Sequence, residues 1–351
     1  AKINPDDGTM LWSSLFGGAG DDQVNGVAVD ATGRLYLTGF TLPTCTAGTC
    51  VPAEIGSSTT ALSASNTGKK AFVARVAATG EKLEYFGVLN SDGDTNIGHA
   101  IAVDPATSAV VVAGETNTTD KGIPSNVPGY YQVPNARPTD TINNGDAADG
   151  FVARINPTGD GYEFFTLLTG LPDAAAVKAD RAFGVKLLSA DNSVLVVGET
   201  NSSNFPTNVT SLAGAPAPAG GTDGFVVRLS ANGSNLLAKR YLGGTGYDSA
   251  RSVIAAADGY YVLGNSAGAL TNWNGSGQVG GLSQSALGEQ DGFLARFVTA
   301  SDTPDFWGLI GSGGPDAYYA MAAEVIDIDP VKRPNGRTVL FAGGVSSPNI
   351  N

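Results

Sequence analysis

Hydrophobic and polar positions in this chain come in short runs, rich in Val, Leu, Phe, Ala and Thr and bounded by Gly, Asn, Asp and Pro. Such runs read as strands joined by turns. They fall into families. One phrase reads KKAFVARV at 69–76, ADGFVARI at 148–155, TDGFVVRL at 222–229 and QDGFLARF at 290–297, and AKIN at 1–4 is the tail of a fifth copy. A second runs LYLTGFT at 35–41, VVVAGET at 110–116, VLVVGET at 194–200, YYVLGNS at 260–266 and VLFAGGV at 339–345. A third precedes it: VNGVAVD from Val24, GHAIAVD from Gly98, AFGVKLL from Ala182, ARSVIAA from Ala250 and YYAMAAE from Tyr318.

Five copies in 351 residues give a period of about 70, the size of a four-stranded propeller blade carrying one long loop. Within a unit the third family supplies strand A, the second strand B and the first strand C. Strand D is LEYFGVL, YEFFTLL, NLLAKRYLG or DFWGLIG. Turns such as DATGR, ADNS, NPTGDG and SANGSN hold residues that tolerate positive φ. The strand B glycines Gly39, Gly114, Gly198, Gly264 and Gly343 are expected to let neighbouring blades approach closely. The expected fold is all-β: one five-bladed β-propeller domain over 1–351, with blades at 23–89, 97–169, 181–243 and 249–311. The fifth blade would take strands A and B from 317–346 and strands C and D from 1–16. The amino-terminal strands would then complete the carboxy-terminal blade and close the ring, removing open sheet edges.

Composition agrees with this pattern and narrows the partners. Forty-eight glycines and only 15% charged residues disfavour helices, while a net charge of -13 repels phosphate backbones and anionic lipid. Nucleic acid and direct membrane insertion are therefore not expected, and no apolar stretch approaches the roughly 20 residues of a spanning helix. The sequence predicts a soluble chain, any export signal being absent from it.

LFGGAGDDQVNGVAVDATGRLYLTGFT (15–41) and DGFVVRLSANGSNLLAKRYLGGTGYDS (223–249) resemble the bacterial SBBP β-propeller repeat. The likeness runs along nearly the whole chain, though blade five departs from it at EVIDIDPVKRPNGR. It implies an extracellular or cell-surface, secreted propeller and no particular reaction.

In a propeller the B–C and D–A connections share one face. Here the B–C loops are long, at about 42–69, 117–147, 201–221 and 267–289, which marks that face for recognition. Tyr130 and Tyr131 in NVPGYYQ, and Asn272, Trp273 and Asn274 in TNWNGSG, could stack on a sugar and bind its hydroxyls, or fill space beneath their own loops. A polar residue stands five positions before a strand A core residue in every unit: Asp22, Asn96, Asp180, Asp248 and Asp316. With Asp92 and Asp94 of NSDGDTN these oxygens could hold Ca2+; the alternative is that they accept backbone N–H bonds and fix the start of the strand. No cofactor is required. Cys45 and Cys50, in PTCTAGTCVP, have the spacing for a loop disulfide in an oxidising compartment. Asn117, Asn201, Asn208, Asn232 and Asn274 begin sequons that matter only in a glycosylating host.

The single histidine, His99, falls in a strand, and Asp30 and Asp104 end strand A where a turn role fits better than catalysis. A five-bladed glycoside hydrolase would need a close pair of off-repeat carboxylates, and Glu324 is the one candidate, since Glu115 and Glu199 both recur in Gly-Glu-Thr-Asn. The sequence therefore points to a non-catalytic module that binds an extracellular glycan or protein. Its alternatives are a structural subunit that packs against like subunits of a surface assembly, and the glycosidase.

Overall fold

A computed structural model describes residues 1–17, 20–42, 68–89, 95–117, 148–170, 178–202, 205, 221–256, 259–268, 289–326 and 337–345. All regular structure among them is antiparallel strand, and no helix there is long and apolar enough to cross a membrane. The chain divides into two compact units, Ala1–Leu168 with Asn232–Ser234, and Thr169–Ala231 with Asn235–Asn351.

The first unit holds a hairpin, β1 (Lys2–Ile3) and β2 (Met10–Trp12), and two four-stranded sheets. One runs β3 (Asp22–Val29), β4 (Leu35–Thr41), β5 (Lys70–Val76), β6 (Leu83–Val88); the other β7 (Asn96–Val103), β8 (Val110–Thr116), β9 (Asp149–Ile155), β10 (Tyr162–Leu168). The second unit repeats the plan with β11 (Asp180–Leu187), β12 (Val194–Thr200), β13 (Asp223–Leu229), β14 (Leu236–Leu242), then β15 (Asp248–Ala255), β16 (Gly259–Ser266), β17 (Asp291–Val298), β18 (Thr303–Ile310). It ends in a two-stranded sheet, β19 (Ala317–Ile326) and β20 (Arg337–Val345). Neighbouring strands in each sheet are consecutive in sequence, which is the up-and-down meander that the repeated A, B, C and D phrases predict.

Within each unit the sheets stack face to face. The first strand of one sheet lies across the preceding sheet: β7 crosses β3, β4 and β5, β15 crosses β11, β12 and β13, and β19 crosses β15, β16 and β17. The core lies between these faces. In the first unit Tyr36, Val73, Val112, Phe151 and Phe165 are buried there, and in the second Val197, Val226, Val253, Tyr260 and Phe293. Tyr260 stacks on Phe297 with ring centroids 5.0 Å apart. The face of β3 is not covered in this way: Val27 is 60% exposed, whereas its equivalents Ile101 and Val253 are 8% and 6% exposed.

Two irregularities recur. Every first strand carries a β-bulge that leaves its fourth residue without a register partner in the second strand: Asn25, His99, Phe183 and Arg251, and in β19 the third residue, Tyr319. A second bulge falls in the fourth strand, at Glu84, Glu163, Leu237 and Asp305. Three of these are acids, and each meets an arginine of the neighbouring third strand, as Arg75–Glu84 (2.6 Å), Arg154–Glu163 (2.6 Å) and Arg296–Asp305. A bulge re-aims one side chain without moving the rest of the strand.

The strand B glycines serve the sheet that contains them. A Cβ on Gly39, Gly114, Gly198 or Gly264 would lie about 2 Å from the carbonyl oxygen of Gln23, Ile97, Arg181 or Ser249 on the adjoining strand A. At the last three it would also strike the phenyl ring of Phe151, Phe225 or Phe293. The close approach is thus between strands A, B and C of one sheet, not between neighbouring blades. In the last sheet the equivalent glycine is Gly344 rather than Gly343: Gly344 pairs with Tyr318 and faces the Ala317 carbonyl, whereas a Cβ on Gly343 would meet nothing.

Candidate functional site

Of the residues singled out for binding, Tyr130, Tyr131, Asn272, Trp273, Asn274, Asp92, Asp94, Cys45 and Cys50 lie outside the described residues. The five strand-start polar residues lie within them. Asp22, Asn96, Asp180 and Asp248 each pair with the last residue of strand B, Thr41, Thr116, Thr200 and Ser266, which in turn pairs with the first residue of strand C, Lys70, Asp149, Asp223 or Asp291. Apart from Asp22, which is half-buried, the acidic and amide members of these rows are buried.

Their hydrogen bonds are local. The Thr116 hydroxyl donates to Asn96 and the Thr200 hydroxyl to Asp180. Backbone N–H groups of the preceding turn donate to the same side chains: Gly170 to Asp180 (2.9 Å), Gly244 to Asp248 (2.8 Å) and Ser312 to Asp316 (2.6 Å). A short acceptor at this point satisfies turn amides that would otherwise be buried without a partner. Among the described residues no group of three or more His, Cys, Asp or Glu is placed to hold a metal ion.

Asp248 shows what this arrangement costs. Burial pushes its carboxyl above the usual range, against the pull of the Ser266 hydroxyl and the Gly244 and Ala267 amides. The folded protein therefore binds this proton more tightly than the unfolded chain, so the stability tied to it is present at low pH and is lost as pH rises through the raised pKa. Asn96 fills the same position at the start of β7 with no charge. Asp248→Asn is accordingly expected to unfold at or above the wild-type denaturant midpoint at pH 7, the gap closing as pH falls towards 4. Asp248→Ala, which strands the Gly244 N–H, is expected to cost about 1–3 kcal/mol. Urea titrations at both pH values check this.

A different cluster forms in the second unit, around Glu199. Its carboxylate is almost fully buried and pairs with Arg181 Nη1 (3.0 Å) and Arg251 Nη2 (3.4 Å), and it accepts the Tyr247 hydroxyl. Burial first, and then this bond to Glu199, push the Tyr247 phenol up to about 12. The Arg251 guanidinium lies over the Phe183 ring, 4.0 Å from its centroid. One buried negative charge thus fixes two cations beside two aromatic rings. Sequence reasoning passed over this hub because Glu199 shares its Gly-Glu-Thr-Asn context with Glu115. The signal that distinguishes them is Arg251, which holds the bulge position of the next first strand; Glu115 Oε1 instead lies 3.6 Å from Nε2 of His99, the bulge residue of its own sheet's first strand.

The remaining carboxylates are in turns and ion pairs. Asp30 Oδ1 accepts from Thr32 N and Oγ1 and from Arg34 N, while Oδ2 accepts from Arg34 Nε (2.7 Å) and Tyr36 Oη (3.0 Å). Burial opposes its ionisation, but the Thr32, Arg34 and Tyr36 bonds outweigh burial and hold the carboxyl well below the usual range. Asp104 caps its own turn at Ala106 N and pairs with Arg154. Glu324 is in β19, opposite Val339.

Residues 11–41 match the family model of the SBBP beta-propeller repeat. The comparison with curated proteins finds no match. Among solved structures the chain is similar to quinohemoprotein alcohol dehydrogenase from Comamonas testosteroni, at 7% sequence identity and a TM-score of 0.36, over 87% of this chain and 57% of that one. The chain thus carries a β-propeller repeat within an all-β fold of four-stranded antiparallel sheets.

Proposed function

We propose that this chain is a secreted, non-catalytic β-propeller module of five blades that binds an extracellular glycan on the face bearing the long B–C loops. Like subunits or a protein partner are the competing occupants of that face. The observation that carries the reading is the use made of the repeated acids: each of Asp180, Asp248 and Asp316 accepts amides of its own turn, a supporting role that leaves recognition to side chains outside the repeat pattern.

The fifth blade is supported by the hairpin β1–β2, which has the form of a C–D hairpin. Its bulge falls at Leu11, as the others fall at Glu84 and Glu163. Its turn places Gly8 at φ 73°, beside Gly80 at 76° and Gly159 at 77°. Gly8 N–H donates to Asn4 O (2.9 Å), four residues back, where Gly159 N–H donates to Asn156 O (3.0 Å), three residues back. Trp12 packs on Gly80 of the first sheet as Tyr85 packs on Gly159 of the second. In our reading β1 and β2 are strands C and D of the blade whose strands A and B are β19 and β20.

Binding is tested by retention of the full chain on a panel of immobilised neutral and acidic polysaccharides, with a reducing-end assay in parallel. Retention without bond cleavage is expected, and replacing 118–147 by a short Gly–Ser linker should weaken it while leaving thermal unfolding unchanged. Release of reducing ends, or a chain retained by no polysaccharide, would sink the proposal.

A further inference from the structure

We propose that the bare face of β3 and the open edge of β1 form a docking surface for the β20 end of a second copy of this chain, so that the fifth blade is completed between copies. The inference rests on the five-blade reading above and names the partner that completes it. Three observations lead to it.

The first is exposure. Val24, Val27 and Val29 pair with Gly39, Leu37 and Leu35, alternate residues of β4, so they share one face of the sheet. They are 44%, 60% and 58% exposed, whereas Ala182 and Ala250, at the address of Val24 in β11 and β15, are fully buried. The outer half of the same face is covered, because Phe16 lies against Phe72 and Phe86. What stays bare is about the width of two strands. Ile3, Met10, Leu11 and Leu15 are exposed as well, so seven of the ten exposed large hydrophobic residues among the described ones fall within 3–29. Apolar surface gathered in this way marks a contact with protein.

The second is shape. Within the first unit Gly98 holds the address of Val24, and a Cβ on it would lie about 2 Å from Thr38 Oγ1 and 3.3 Å from the Gly39 backbone. The address of Val24 therefore lies over the strand B glycine and the residue before it. That preceding residue is Thr38, Ala113, Val197 or Leu263 in the four-stranded sheets, each fully buried, and Gly343 in the last sheet. Gly343 is exposed, and a Cβ on it would meet nothing within 4 Å. So β3 carries a valine where β7, β11 and β15 carry Gly or Ala, and β20 carries a glycine where the other second strands carry a side chain. The two changes have opposite sign and cancel when Val24 sits on Gly343.

The third is the edge. β1–β2 and β19–β20 are two-stranded sheets, so β1 and β20 each keep one edge unpaired among the described strands. An open edge takes up a further strand through backbone hydrogen bonds. Val24 and Gly343 are exposed in the same copy, and each copy thus offers both halves of one contact. Such a heterologous pair of surfaces joins copies head to tail.

Light scattering over a wide concentration range should show a dimer or a longer head-to-tail array that dissociates on dilution, held more tightly as salt screens the like net charges. Val27→Asp and Gly343→Leu, both at exposed positions, should each weaken association tenfold or more and leave the unfolding midpoint of the dilute chain unchanged. In a background with Cys45→Ser and Cys50→Ser, the substitutions Val24→Cys and Gly343→Cys are placed in separate chains. Oxidising the mixture should give a cross-linked pair that neither chain gives alone. A chain that is monomeric at every concentration overturns the proposal, as does a Val27→Asp variant that associates like the wild type. Cross-linking within one chain, when both cysteines are placed together and the protein is dilute, also overturns it and leaves the five-blade reading standing. Absence of a cross-link both in the mixture and in the double variant overturns both.

Discussion

Deleting residues 1–16 is expected to lower the thermal midpoint by about 4–7 °C, at a cost of roughly 3–5 kcal/mol. The segment contributes Phe16, whose ring lies 5.2 Å from Phe72 and 5.7 Å from Phe86, and Trp12, which packs on the Gly80 turn. Trp12 and Phe16 are both half-buried, so each contributes part of this total, less than a fully buried ring would. Trp12→Ala should therefore reproduce a share of the effect. Amide hydrogen exchange separates packing from ring closure. If β1 pairs with β20 as proposed, the deletion accelerates exchange of the 337–345 amides; unchanged protection there would show that the fifth blade is not completed in this way. Circular dichroism melts supply the stability half of the result.

The second large effect is expected at Asp302. This buried carboxylate receives Arg228 Nη2 at 2.7 Å and the Tyr260 hydroxyl at 3.1 Å, while Arg240 Nε donates to its backbone carbonyl. Burial pushes the carboxyl up, opposed first by Arg228. Asp302→Ala leaves Arg228 with only the more distant Asp191 carboxylate, at 3.5 Å, and takes the acceptor from the buried Tyr260 hydroxyl, so it is expected to cost about 3 kcal/mol. Asp302 also has φ 49°, a conformation that Asn adopts more readily than Ala. Asp302→Asn, which retains an acceptor for Tyr260, should lose markedly less. Equal losses for the two variants in urea unfolding would mean that the Tyr260 acceptor and the backbone conformation contribute little and that the lost charge accounts for the effect.

The strands, their order and their turns were legible because each phrase recurs and each turn demands particular residues. Asn192 at φ 56° and Gly159 at φ 77° fall in ADNS and NPTGDG, where the composition calls for positive φ. The bulges were also written in the spacing. In an unbroken strand residues five apart face opposite sides, yet Asp22 and Val27 pair with Thr41 and Leu37, which are four apart and share a face. An odd interval repeated in all five units is the trace of one extra residue. The carboxyl-terminal sheet was misaligned by one position because Gly343 and Gly344 are adjacent, and only strand pairing tells them apart. The Glu199 hub was not legible, since it joins residues from different repeats and its acid looks like a copy of Glu115. Side chains placed together by stacked sheets leave no local pattern.

The bulge position has one further consequence, for how such a chain can change. Asn25, His99, Phe183, Arg251 and Tyr319 stand at one geometrical address in five copies of the same scaffold, and the residues on either side remain in register. Mutational drift at these five addresses leaves the strand pairing intact, whereas drift at Gly198 or Asp248 disturbs it. The fold thus separates what must be inherited unchanged from what is free to vary, and a library randomised at the five addresses would explore new ligands on a fixed frame.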